Sequence, residues 1–301
     1  MDGMFENHSL QQRLIHLGGL FIFSLLVWVT PLLQNGTLQL AGLAAIDSHY
    51  LTVTFLNIGQ GDATLIETPD GVQMLIDGGP DATVLRELSA SLPWFDRTID
   101  VVLGTHPDKD HIAGLVDVLE RYRVGHIITT ENTGETTTAE SYHDALIQEG
   151  ATITMARAGQ VYQLGASTTV AVFSPANNPA LLETNTASIV TQVRYGDITF
   201  MLTGDAPQSI ENYLVTAYGD QLESEVLKLG HHGSKTSSSD EFLAAVRPQY
   251  AVVSSGKDNS YGHPAKETVA RVTAAGIPIV NTAEGGRITF QTDGVTVWRV
   301  E

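Results

Sequence analysis

The sequence predicts an α/β (α+β) fold in which two sheets pack together and helices lie outside them. Three observations predict it. Strand-like, β-branched runs dominate both ends of the chain beyond residue 50. Helical patterns alternate with strands through the middle. No repeat of about 20 to 50 residues and no second linker divides the chain, so residues 51–301 read as one domain.

The elements follow in order. From Leu14 to Leu33 the chain runs LIHLGGLFIFSLLVWVTPLL without Asp, Glu, Lys or Arg. At about 1.5 Å per residue this matches a bilayer core. A transmembrane or signal-anchor helix is the first expectation, with Trp28 at an interface. A secretory signal cut near Gly42-Leu43-Ala44 is the rival, although the apolar run exceeds the roughly 7 to 15 residues usual there, and a buried soluble helix is a third reading. Arg13 precedes the run and no Lys or Arg occurs between Pro31 and Tyr50, so the domain is expected outside the cytoplasm. It would be membrane-anchored, or secreted after cleavage. Residues 34–50 read as a linker of turn formers and small residues. LTVTFLN, ATLIET and VQMLID, separated by Gly-Asp and Pro-Asp-Gly turns, predict an antiparallel meander. Helices are expected at 83–90, 112–122, 139–149, 207–218, 240–246 and 265–275. Strands are expected near 100–104, 187–194, 198–203, 224–229 and 250–254.

Composition narrows the chemistry. With 16 Lys plus Arg against 34 Asp plus Glu, the net charge is −18, which disfavours long-range capture of a polyanion. The chain has no Cys, which excludes disulfides, thiolate nucleophiles, zinc fingers and iron–sulfur clusters, and leaves 10 His as nitrogen donors.

Those histidines are not scattered. In Val101-Val102-Leu103-Gly104-Thr105-His106-Pro107-Asp108-Lys109-Asp110-His111-Ile112, an apolar strand ends in four metal-ligand side chains within six residues. A polar turn with Asp110 capping a helix at Ile112 would be the plain structural alternative. Three more clusters also follow strands: Gly204-Asp205; His231-His232-Gly233-Ser234; and Tyr261-Gly262-His263-Pro264, the last before a helix whose first turn would begin at Pro264. Each alone is commonplace, since TGD is a frequent turn and paired His are usually solvated. Four such clusters in one Cys-free chain point to a dinuclear metal site.

HPDKDH, TGD, HHGS and GHP, with Asn57-Ile58-Gly59-Gln60-Gly61-Asp62-Ala63 and Leu75-Ile76-Asp77-Gly78-Gly79 upstream, resemble the metallo-β-lactamase superfamily. Within it they are most similar to the hydrolase domain of the ComEC competence family. The likeness spans residues 51–292 and rests on motif order. It implies a four-layer αβ/βα sandwich with metals at one edge between the sheets. Asp108 stands where the superfamily usually has His, and the His usual before the strand at 187–194 is replaced by Asn185 and Ser188. His231 is inferred to supply the missing imidazole.

The resemblance implies one metal on His106, Asp108 and His231, and a second on Asp110, His111 and His263, with Asp205 bridging. Oxygen and imidazole donors suit Zn²⁺ or Mn²⁺. It also implies a bridging hydroxide as nucleophile, with Asp110 and Asp205 in catalytic roles. His232 would contact a substrate oxygen or protonate the leaving group, and Ser234, Lys235 and Tyr261 would be nearby substrate donors. Asp62 and Asp77 are expected to orient ligand imidazoles.

The expected function is metal-dependent hydrolysis of phosphoester bonds, with a nuclease related to DNA uptake as the sharper form. A phosphoester or nucleic-acid substrate and a separately encoded membrane channel are the expected partners. The alternatives are hydrolysis of another ester, lactone or amide, and a metal-free binding or scaffold module. A basic groove formed by Lys228, Lys235, Arg247 or Lys257 would mark the nuclease. No dinucleotide fingerprint or P-loop is present, because a third glycine and the P-loop spacing are lacking.

Overall fold

The computed structural model describes residues 49–300. They belong to a compact unit reaching from Ile46 to the C-terminus. The apolar segment 14–33 and the linker up to residue 48 lie outside the described residues. Among the described residues no helix is long and apolar enough to cross a membrane.

The chain begins with β1 (Leu51–Phe55), β2 (Thr64–Glu67) and β3 (Gln73–Ile76), the expected antiparallel meander. It continues through α1 (Thr83–Ser91), β4 (Thr98–Leu103), α2 (Lys109–Arg121), β5 (Arg123–Thr129), α3 (Thr137–Glu149) and β6 (Thr152–Met155). The second half starts with β7 (Val161–Leu164), β8 (Thr168–Ser174), β9 (Val190–Tyr195) and β10 (Ile198–Leu202). Then come α4 (Gln208–Tyr218), β11 (Val226–Lys228), α5 (Asp240–Val246), β12 (Tyr250–Val253), α6 (Lys266–Ala274) and β13 (Ile279–Asn281). The short α7 (Thr282–Gly285), β14 (Ile288–Thr292) and β15 (Val297–Val300) end the fold.

The strands form two sheets, ordered β15-β14-β1-β2-β3-β4-β5-β6 and β13-β12-β11-β10-β9-β8-β7. Alternation of side chains along each strand builds the layers. In the first sheet Ile66, Met74, Ile76, Leu103 and Ile128 face the second sheet, where they meet Val193, Phe200, Leu202, Val226 and Val252. Their neighbours Leu65, Leu75, Val102 and Ile127 point outward onto Leu88 of α1, Leu115 of α2 and Leu146 of α3. In the second sheet Met201, Leu227, Ala251 and Val253 point outward onto Leu214 of α4, Phe242 of α5 and Val272 of α6. The result is the expected helix–sheet–sheet–helix sandwich.

Boundaries differ in three places that bear on the site. Helix α2 starts at Lys109 rather than Ile112, so Asp110 and His111 sit inside its first turn and Asp108 is the residue before it. The strand expected from 187 starts at Val190, after a 3₁₀ turn at Asn185–Ala187. The helix expected from Pro264 starts at Lys266.

Candidate metal centre

Strands β3, β4 and β5 run parallel, as do β10, β11 and β12. Their C-terminal ends therefore open on the same edge of each sheet, where open α/β sheets place their ligands. Asp77 follows β3, His106–His111 follow β4, Asp205 follows β10, and His231–His232 follow β11. The loop after β1 adds Asp62, and the segment after β12 adds His263.

Two close backbone approaches hold these loops. The Asp62 N–H donates to the Asp110 carbonyl at 3.1 Å, and a Cβ on Gly61 would lie 2.2 Å from that same oxygen. A Cβ on Gly114 would lie 2.0 Å from the Gly78 carbonyl oxygen, so only glycine lets α2 pack onto the turn after Asp77.

Asp108 has the extended backbone of an N-cap, yet its side chain makes no capping hydrogen bond. Its carboxylate instead lies 3.7 Å from His106 Nε2. His231 and His232 both adopt left-handed backbone, with φ of 50° and 55°, a strain of order 1–3 kcal/mol each of the kind concentrated at functional sites.

The side chains converge. One ligand atom each from Asp62, His111, Asp205 and His232 lie within 4.8 Å of one another. His111 Nε2 is 3.2 Å from Asp205 Oδ1, and His232 Nε2 lies 3.2 Å from Asp110 Oδ2 and 3.4 Å from Asp205 Oδ2. His231 Nε2 is 3.7 Å from Asp205 Oδ2. The His106 ring is centred 4.1 Å from His111, and His263 is centred 5.5 Å from His231 and 6.1 Å from His232. Of the seven sequence-derived ligand candidates, His111 and Asp205 belong to this tight group, Asp110 and His231 approach its members, His106 and His263 flank it by ring contacts, and Asp108 approaches His106.

Neighbouring groups orient the rings. Asp77 accepts from the Thr105 N–H at 2.8 Å and from the Thr105 hydroxyl at 2.7 Å, and its Oδ2 lies 2.7 Å from His111 Nδ1. This turns His111 Nε2 toward the cluster, the orienting role expected of Asp77. The Ser254 carbonyl, 3.0 Å from His232 Nδ1, does the same for that ring. Ser188, at the superfamily's missing His, accepts from the Asp205 N–H at 3.2 Å and so anchors the loop.

Electrostatics follow the crowding. Burial alone would depress His111, but Asp205 and Asp77 outweigh it and hold its pKa well above the ordinary range. His232 is likewise pushed up to about 9, Asp205 and Asp62 overcoming its burial. His106 goes the other way: burial, then the neighbouring His111 cation, lower it to about 3. Asp205 lies well below the usual carboxylate range because His232 and His111 overcome its desolvation.

The donors fit a divalent cation. Asp62 Oδ1, His106 Nε2, His111 Nε2, Asp205 Oδ1 and His263 Nδ1 are buried without a hydrogen-bond partner. His111 Nε2 and Asp205 Oδ1 face each other at 3.2 Å and Asp62 Oδ1 lies 3.3 Å from His232 Nδ1, so these imidazole and carboxylate atoms meet one another without well-formed hydrogen bonds, a donor set that suits a cation.

Other expectations shift. Asp62 belongs to the converging group itself, not only to its surroundings. His232 is buried, whereas the His231 side chain is 29% exposed, so His231 is the more open of the pair. Ser234 is buried with its hydroxyl 3.0 Å from that of Thr236, Lys235 is exposed, and Tyr261 is exposed and stacked 5.8 Å from His263. The expected basic groove loses two members. Lys228 is buried beneath the site, and Arg247 pairs with Glu223 and Asp220. Beside His106 opens a mostly apolar cavity of about 240 Å³, lined by Tyr142, Leu146, Ile147, Ile153 and Met155. Lys228, expected in a basic groove, instead lies buried against Asp62 and Asp205. Its signal was a charge inside the apolar run Val226-Leu227-Lys228-Leu229.

A two-sheet sandwich that gathers His and Asp at one edge is the architecture of a metal-binding α/β class. The metallo-β-lactamase superfamily model matches residues 56–257, and the chain belongs to that superfamily. Three of its curated relatives, ComE operon protein 3, competence protein ComA and recombination protein 2, are ComEC-family competence proteins. Competence protein ComA of Neisseria gonorrhoeae is 34% identical over 82% of this chain and 33% of its own length. ComE operon protein 3 of Bacillus subtilis is 27% identical over 79% of this chain and 33% of its own. The chain thus spans about a third of the length of these relatives. Among solved structures, CmlA, a diiron β-hydroxylase from Streptomyces venezuelae, shares the fold at 15% identity and TM-score 0.52, over 83% of this chain and 54% of its own. Zn²⁺-bound PqqB from Methylobacterium extorquens does so at 14% identity and TM-score 0.50, over 74% and 85%.

Proposed function

We propose that the chain is a metal-dependent hydrolase of phosphoester bonds, and in its sharper form a nuclease working in DNA uptake. The observation that carries the reading is the convergence of buried imidazole and carboxylate atoms at the sheet edge. His106, Asp108 and His231 would hold one divalent ion and Asp110, His111 and His263 a second, with Asp205 between them and Asp62 and His232 completing the set. When bound, Zn²⁺ or Mn²⁺ supplies an activated water near neutral pH and stabilises anionic charge. The chain's own residues do the rest. Asp77 and the Ser254 carbonyl fix ring orientation, and the buried faces of His106, His111 and His232 exclude bulk water. Tyr261 and Lys235 offer exposed donors at the rim.

The competence relatives support a nucleic-acid substrate. A net charge of −18 means that such a substrate would be held by the metals and local contacts and not by a field. The apolar cavity beside His106 favours a second reading, hydrolysis of an ester, lactone or amide with an apolar part. Segment 14–33 supports a membrane anchor with the domain outside the cytoplasm, beside a separately encoded channel.

The test is to offer the full chain, with Zn²⁺ or Mn²⁺, a phosphodiester, single-stranded DNA and a β-lactam side by side. Metal-dependent phosphodiester and DNA cleavage that Asp205→Asn abolishes is the expected result. Cleavage unaffected by Asp205→Asn sinks the site, and turnover of the β-lactam alone selects the second reading.

A further inference from the structure

Lys228 ends β11 on the inter-sheet side, two residues after Val226, which faces the core between the sheets. Its side chain is 4% exposed. The ammonium touches Asp62 Oδ2, donates to the Gly204 carbonyl at 3.0 Å and lies 3.7 Å from Asp205 Oδ1. Among the described residues no Arg and no other Lys pairs with Asp62 or Asp205; their remaining partners are His111, His231 and His232. A buried Lys is rare unless paired, and this one is aimed at two carboxylates of the candidate metal set.

We propose that Lys228 is a built-in counter-cation that keeps Asp62 and Asp205 in place before a metal arrives and limits how tightly the site then binds it. Without metal, Asp62 and Asp205 face each other inside the protein, where like charges repel strongly. The ammonium offsets that repulsion and, through Gly204, ties the Asp205 loop to β11. With metal bound, the same positive charge opposes the incoming cation and keeps one Asp62 oxygen occupied. One group therefore makes the metal-free domain more stable and the metal-loaded site weaker. The affinity half of this inference rests on the metal-centre reading above; the stability half does not.

The test compares the full chain with Lys228→Met. Thermal melting after chelation is followed by titration calorimetry with Mn²⁺ alone. The expected result is a lower melting temperature without metal together with Mn²⁺ binding roughly tenfold or more tighter than wild type. Equal or weaker Mn²⁺ binding by the variant, or an unchanged metal-free melting temperature, overturns the proposal. If Lys228→Met alone does not fold without metal, Lys228→Met with Asp62→Asn removes the stranded charge and is expected to restore folding, which a residue needed only for packing would not allow. Failure of the double variant to fold overturns it as well. Absence of Mn²⁺ and Zn²⁺ binding by wild type would sink the metal reading, while the melting comparison would still judge Lys228.

Discussion

Asp77→Asn changes one atom, yet it should disable His111 as a ligand. Asp77 faces three donors: the Thr105 N–H, the Thr105 hydroxyl and His111 Nδ1, at 2.8, 2.7 and 2.7 Å. An asparagine has one acceptor oxygen and must turn its NH₂ toward one side. Placed against the Thr105 N–H, it sets two donors face to face in a fully buried position, a loss of about 1–3 kcal/mol. Placed on the other side, it meets two groups that can adapt, since the threonine hydroxyl can rotate to accept and the imidazole can change tautomer. The second arrangement is the cheaper. It leaves the proton on His111 Nε2, the atom directed at Asp205, so His111 can no longer offer a lone pair there. Losing such an orienting carboxylate weakens metal binding about 10–100-fold, or roughly 1.4–2.7 kcal/mol. Titration calorimetry with Mn²⁺ on folded Asp77→Asn reads this directly. Wild-type affinity in a variant with intact circular dichroism would refute the tautomer argument.

Gly114→Ala should destabilise the domain by about 1–3 kcal/mol or more in urea unfolding, because its Cβ would meet the Gly78 and Asp81 carbonyl oxygens at 2.0 and 2.7 Å. The chelated protein should melt highest near pH 6.5. His232, pushed up to about 9, contributes stability that is full below its ordinary pKa and lost as pH rises through 9, while His106, held at about 3, leaves the unfolded chain binding the extra proton as pH falls below 6.5. A flat profile between pH 6.5 and 9 would contradict the raised His232. If the cavity beside His106 receives the apolar part of a substrate, Ile153→Lys at its wall should raise KM with little change in kcat, and equal loss in both would place the cavity outside substrate binding.

What could be read beforehand follows from how far each interaction reaches along the chain. HPDKDH was legible because four donors share one loop, so density alone betrayed it. The sandwich was legible in its helices and in strands such as β3 and β10, buried along their whole length, and β4, which ends in the apolar run Val101-Val102-Leu103. Strands β5 to β8 and β13 to β15 lie outside the expected set; for the edge strands β6 and β7 the reason is exposure, since short half-solvated segments carry little hydrophobic signal. Asp62 and Lys228 mark the harder limit. Asp62 lies in the loop after β1 of one sheet and Lys228 at the end of β11 in the other, and nothing near either one announces the other. Yet Lys228 did break a local rule, a charge on an apolar strand in register with Val226, and such a violation has a physical meaning that can be read early. A buried ammonium must find carboxylates, and two of the four strand-end clusters, HPDKDH and TGD, already carry them. Seen that way, the charged residue inside β11 and the acidic loops at the sheet edge describe one device: a site that carries its own cation until a stronger one replaces part of its work.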